Sequence, residues 1–191
     1  PLSDVARALG GTVSPHGSGY EIVTGQGAPS SSDASRTAAG GANEVGGTNG
    51  NIGDWFFNGY WRFRVSKVER VSSYSYQYFP GGGVSSPDGP NDELVVVFCT
   101  IKNGEQNSDE PILTRNGLGT QKTALTDDQG QSYPPRDFDV RGGNLAPGAG
   151  KNFAVVFPVP KGTTLKDMIF TLYSFGASNK ASNVRVSMAG Q

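Results

Sequence analysis

The chain has 191 residues, enough for one ordinary domain with an appendage or for two small domains, and a core of that size needs no covalent staple. Apolar residues make up 35% and charged residues 17%, both low for a cytoplasmic enzyme, while 28 glycines and 12 prolines favour short strands joined by turns over helices. With 16 basic and 17 acidic residues the net charge is −1, which argues against a nucleic-acid partner, and the longest apolar run, Leu94–Cys99, is far too short to span a bilayer.

A single cysteine excludes an intrachain disulfide, which is compatible with export from a bacterium. The start at Pro1, without a Met, is expected to follow removal of an upstream segment. In Leu2–Leu9 the apolar positions Leu2, Val5, Ala6 and Leu9 recur at helical spacing, and Gly10-Gly11 stops the helix. Thr12–Ser14, a turn at Pro15–Gly19 and Tyr20–Thr24 then read as a two-stranded hairpin. This stretch, PLSDVARALGGTVSPHGSGYEIV, resembles one half-repeat of the stalk-like module named after the copper amine oxidase N-terminal domain. The resemblance implies an extracytoplasmic accessory module, not amine oxidase chemistry. Residues 1–26 are thus expected to form a helix-hairpin appendage. Residues 27–51, mostly Gly, Ser, Ala, Thr and Asn, read as a linker that could carry the appendage onto a neighbouring molecule.

Residues 52–191 read as a β-sandwich domain. Tyr60–Arg70 alternates, with Trp61, Phe63 and Val65 on one side. Ser72–Phe79 alternates polar residues with Tyr74, Tyr76 and Tyr78 and predicts a strand bearing a tyrosine stripe. Pro80–Gly83 and Pro87–Pro90 are turns. Glu93–Lys102 is apolar on both faces and predicts a central strand, ended by Asn103-Gly104. Gln121–Leu125 and Gln131–Tyr133 flank a hairpin-type turn at Asp127–Gly130. Asn152–Val159, Met168–Phe175 and Asn183–Met188 complete about eight strands, a number that suits an antiparallel sandwich. The order of WRFRVSKVERV, ELVVVFCTIKNG, LTDDQGQSY and LAPGAGKNFAVVFPVPKG resembles the immunoglobulin-like extracellular domains of bacterial lipoproteins and of the mycobacterial secreted immunoprotective antigen. That resemblance implies an immunoglobulin-like sandwich, an extracellular setting and no general catalytic activity, and it supplies no site residues.

Few residues invite chemistry. His16, the one histidine, sits in the Pro-His-Gly turn, so a Ser-His-Asp arrangement has little to build on. Cys99 falls inside an apolar strand and reads as a buried small hydrophobe. Asp127, Asp128, Asp137 and Asp139 are weak calcium candidates, because carboxylates with loop carbonyls suit that ion. Their spacing matches no EF-hand, and solvated turns explain them more simply. Aromatic residues are the more interesting feature. Trp55, Phe57, Tyr60, Tyr74, Tyr76 and Tyr78 either fill the core or form an exposed platform for carbohydrate or a protein neighbour.

The expected function is a non-enzymatic, secreted or cell-envelope structural or interaction protein, with no cofactor. Its expected partners are other copies of itself, in a filament or other assembly joined through the N-terminal segment, or other envelope components. The alternative is a β-sandwich module that binds glycans or the cell wall through the aromatic residues.

Overall fold

β-Branched and aromatic side chains recur in steps of two along much of the chain, and in the computed structural model they form strands. The structure describes residues 11–16, 19–24, 44–45, 48–78, 82–113, 122–173 and 181–191. Two compact units divide the chain, Pro1–Ala39 and Gly40–Gln191.

In the first unit β1 (Gly11–His16) pairs antiparallel with β2 (Gly19–Thr24), Gly11 opposite Thr24 and His16 opposite Gly19. Pro15, His16 and Gly19, expected in the turn, therefore belong to the strands. Proline is tolerated there because each strand of a two-stranded ribbon has an unpaired edge for the residue that lacks an N–H. The helix expected over Leu2–Leu9 lies outside the described residues.

The second unit runs through β3 (Glu44–Val45), β4 (Asn49–Asn51), β5 (Trp55–Phe57), β6 (Trp61–Val71), β7 (Tyr74–Ser75), β8 (Val84–Ser85), β9 (Asp92–Asn103), β10 (Ala124–Asp127), β11 (Ser132–Tyr133), β12 (Asp137–Asp139), β13 (Gly150–Pro160), β14 (Leu165–Tyr173) and β15 (Ala181–Ser187). One sheet has the order β12-β13-β9-β6-β5-β3, the other β11-β10-β14-β15-β4, and β7–β8 is a separate ribbon. The two sheets enclose a single apolar core, so the unit is a β-sandwich. Its pairings are antiparallel except for β3 on β5 and β4 on β15. Both exceptions come from the stretch read as the end of the linker. Residues 44–45 and 49–51 give no apolar alternation to detect, yet their backbones complete an edge of each sheet.

Inward side chains meet between the sheets. Phe63 of β6 stacks on Phe170 of β14 with ring centroids 4.1 Å apart and planes 7° from parallel, and Phe153 of β13 packs against both. Each fully buried ring of this kind contributes about 2–3 kcal/mol of transfer free energy. β9 is central, with β13 on one side and β6 on the other, as its two-faced apolarity predicts. Cys99 lies in this core, 1% exposed, and burial pushes its thiol pKa well up.

The strand expected over Ser72–Phe79 is corrected. Among its described residues, 72–78, only Tyr74–Ser75 pairs, with Val84–Ser85, and a further bond runs from the Tyr76 amide to the Gly83 carbonyl (3.0 Å). The next two amides, Gln77 and Tyr78, donate to the Asp139 carboxylate and are lost to strand pairing. The turn expected at Asp127–Gly130 is present: Gly130 takes φ +80°, and the Asp127 carboxylate accepts from the Gln129 and Gln131 amides at 3.0 and 2.7 Å.

Candidate functional site

The outer face of the six-stranded sheet follows from its register. Because Trp61, Phe63 and Val65 point into the core, Arg62 and Arg64 must point away from it. At Ser66 a bulge shifts the pairing, so that Lys67 stands opposite Phe98. Cross-strand rows can then be written from β6 through β9 to β13. They are Arg62–Lys102–Gly150, Arg64–Thr100–Asn152, Lys67–Phe98–Ala154, Glu69–Val96–Val156 and Val71–Leu94–Pro158. One half of this face is apolar and the other cationic.

Leu94 and Val96 face outward yet are completely buried. The segment carrying β7 and β8 is bonded onto the same side of this sheet. Asp139 of β12, 3% exposed, accepts from the Tyr74 hydroxyl (2.8 Å), the Gln77 amide (2.9 Å) and the Tyr78 amide (2.7 Å). Arg136 holds the other end of the segment, donating to Ser85 Oγ at 3.2 Å, to the Ser86 carbonyl and to the Asp88 carboxylate. Burial, and then the bond to Asp139, push the Tyr74 hydroxyl pKa up, so it stays a donor.

A groove of about 540 Å³ opens on this face beside the segment. Arg64, Lys67, Phe98, Thr100 and Asn152 form part of its floor, and Tyr74, Gln77 and Tyr78 form a wall. Thr100 donates to Asn152 Oδ1 at 2.9 Å, leaving the asparagine NH2 to donate elsewhere. Tyr78 is 46% exposed at the rim.

Beside the groove, aromatic rings and cations alternate. The Trp55 ring has the Arg64 guanidinium and Lys102 Nζ each 4.7 Å from its centroid. Arg62 lies 4.2 Å from the Phe57 ring centre, and Lys67 Nζ lies 5.8 Å from that of Phe98. The β5–β6 hairpin sets this arrangement. Asn58 Oδ1 accepts from the Tyr60 and Trp61 amides at 3.0 and 2.7 Å, and Gly59 adopts φ +89°, turning the chain so that Trp55 and Phe57 lie beside Arg64 and Arg62. Gly104 gives Phe57 and Arg62 room, since a Cβ there would sit 2.7 Å from the Phe57 ring and 2.8 Å from the Tyr60 carbonyl.

The aromatic residues singled out in the sequence divide between sites. Trp55 and Phe57 lie on the cationic half of the face, and Tyr74 and Tyr78 line the groove. Tyr76 meets Tyr74 edge to face, 5.4 Å apart at 86°, so the three tyrosines do not form a stripe on one strand. Tyr60 packs against the core and the Trp61 ring. Arg62 and Arg64 could have been found by their alternation with Trp61, Phe63 and Val65, whereas Lys67 and Lys102 reach the same face only through the bulge and the pairing of β6 with β9.

The four aspartates are not brought together. Asp127 and Asp128 lie at the end of β10 in one sheet, Asp137 and Asp139 on β12 in the other. Asp127 also accepts from the Tyr133 hydroxyl at 2.8 Å. Burial pushes the Asp127 carboxyl pKa up, but that hydroxyl and the amides of the turn outweigh it and hold the carboxyl below its ordinary value. Among the described residues no group of three or more His, Cys, Asp or Glu is placed to hold a metal ion, and no helix is long and apolar enough to cross a membrane.

No protein-family model matches the chain, and no curated protein matches it. Among solved structures it is similar to an uncharacterized β-sandwich protein from Clostridium difficile, at 11% identity and a TM-score of 0.47, over 79% of this chain and 99% of that one. It is also similar to the yjhA protein from Bacillus subtilis, at 23% identity and a TM-score of 0.48, over 72% of this chain and 99% of that one. A conserved hypothetical protein from Bacillus anthracis gives 12% identity and a TM-score of 0.43, over 70% of this chain and 94% of that one.

Proposed function

We propose that the chain is a non-enzymatic interaction protein of the cell envelope or extracellular space, and that its sandwich binds a glycan or wall polymer in the groove on the outer sheet face. The observation that carries this reading is the groove itself. It is floored by Arg64, Lys67, Thr100 and Asn152 and walled by Tyr74, Gln77 and Tyr78, a mixture of donors and aromatic surface that suits sugars. Low charge, abundant glycine and the motif order resembling immunoglobulin-like extracellular domains support the setting. Retention on insoluble envelope polysaccharides tests the reading, with Tyr78→Ala and Asn152→Ala as groove variants. Retention that both variants weaken supports it; retention by no polymer, or retention indifferent to both, contradicts it.

A second reading, assembly through the N-terminal segment, is favoured by a separate observation. β4 lies parallel along Arg185–Ser187 of β15, so the stretch entering the sandwich already behaves as an added strand at a sheet edge. The same pairing made between molecules would join copies head to tail. Negative-stain microscopy of the full chain tests it: filaments or rings support assembly, and dispersed single particles at high concentration contradict it.

A further inference from the structure

We propose that the groove recognises an oxyanion carried on a sugar polymer, either a uronate carboxylate or a wall phosphodiester, with Arg64 as its principal contact and Lys67 and Lys102 beside it. The proposal rests on the glycan-binding reading above and adds the ligand's charge.

Arg62, Arg64, Lys67 and Lys102 stand on two adjacent strands in a chain whose net charge is −1. Lys67 is paired with Glu69, but Arg64 and Lys102 have no carboxylate partner among the described residues. Like charges set side by side repel, and a fold with nothing to bind there would be more stable with neutral residues. What holds Arg64 and Lys102 is the Trp55 ring, 4.7 Å from both. Arg64 Nε is buried and donates to no group, and the guanidinium carbon stands over the Trp55 ring. A planar donor oriented in advance, with hydrogen bonds unspent, is suited to a carboxylate or phosphate.

The opposite wall does not cancel this charge. Asp139 is the carboxylate among the groove's lining residues, and three protein donors already occupy it. Asn152 and Thr100 add neutral polar contacts, and the exposed Tyr78 ring gives a sugar face something to lie on. A single-stranded nucleic acid fits less well, because it needs free aromatic faces for its bases. Here cations stand against the rings of Trp55, Phe57 and Phe98.

The test measures binding of the full chain to four probes at low and high salt: polygalacturonate, poly(glycerol phosphate), neutral dextran and a single-stranded DNA oligonucleotide. The variants are Arg64→Gln, in the groove lining, and Lys102→Gln, beside it over the Trp55 ring. Lys166→Gln, exposed on the other sheet, is the control. Melting curves establish that each variant is folded. The expected result is binding of at least one of the two sugar polyanions, weakened by salt, about tenfold weaker in Arg64→Gln, and unchanged in Lys166→Gln. Whichever polyanion binds identifies the carboxylate or the phosphodiester source. Dextran binding as tightly as the polyanions overturns the proposal but leaves the glycan-binding reading standing, and so does a sugar polyanion held equally by folded Arg64→Gln and Lys102→Gln. Tighter binding of the oligonucleotide overturns the proposal. Binding of none of the probes overturns the proposal and that reading together.

Discussion

Replacing Asp139 with Asn should loosen the segment that walls the groove while leaving the sandwich folded. The carboxylate serves three donors, the Tyr74 hydroxyl and the Gln77 and Tyr78 amides, at 2.7–2.9 Å by their shorter contacts. A hydrogen bond to a charged group contributes about 1.5–3 kcal/mol. The asparagine oxygen can keep an amide, and its NH2 can donate to the tyrosine oxygen once that hydroxyl turns. The loss is therefore closer to one charged bond than to three, about 2–3 kcal/mol. In a domain of this size that lowers Tm by about 4–12 °C. Tyr74→Phe, which removes one charged bond and leaves the carboxylate and both amide bonds in place, should cost a comparable amount, about 1.5–3 kcal/mol. Urea unfolding gives the totals, and amide hydrogen exchange locates them. Gln77 and Tyr78 should exchange faster in Asp139→Asn while the amides of β9 and β13 keep their protection relative to global unfolding. Stability within about 0.5 kcal/mol of the parent protein, with exchange at Gln77 and Tyr78 unchanged, would refute the reasoning.

Three further outcomes follow from individual sites. The Asp127 carboxyl is held below its ordinary value of 3.8, so its stabilising contribution is complete above about pH 4 and is lost as pH falls through the folded value. Denaturation series from neutral pH into acid should show the parent and Asp127→Asn converging in stability, and a constant gap would contradict this. Cys99, buried with a raised thiol pKa, should resist a thiol-specific disulfide reagent at pH 8 until denaturant is added; stoichiometric labelling of the native protein would be the contrary result. Calcium and chelator should leave Tm unchanged, because Asp127 and Asp139 already accept protein donors, and a rise of more than about 2 °C with millimolar calcium would restore the metal reading.

How far the sequence predicts the structure depends on whether a residue's signal is local. The two-faced apolarity of Leu94–Val97 announces a central strand, and all four side chains are fully buried on β9, which lies between β13 and β6. Trp61, Phe63 and Val65 report their burial by simple alternation. The tyrosine alternation in Ser72–Phe79 misleads because the deciding partner, Asp139, lies some sixty residues away and captures two amides that a ladder needs. β3 and β4 are invisible for a related reason: Asn49–Asn51 is placed by backbone bonds to β15, and no side-chain pattern marks such a pairing. Within the candidate site, Trp55 and Phe57 are conspicuous by residue type. The cations that complete the site are ordinary surface residues until the register sets Arg62 opposite Lys102 and Arg64 opposite Thr100. A bulge at Ser66, which nothing in the local sequence announces, then turns Lys67 toward Phe98.

The most direct measurement is a titration of the isotopically labelled full chain with an oligogalacturonate, followed by backbone and arginine side-chain NMR. Binding in the groove predicts shifts concentrated at Arg64, Lys67, Gln77, Tyr78, Thr100 and Asn152, with the outer face of the other sheet, including Thr126, Asp167 and Arg185, unmoved. Shifts clustered on that other sheet, or no shifts at millimolar ligand, would contradict it.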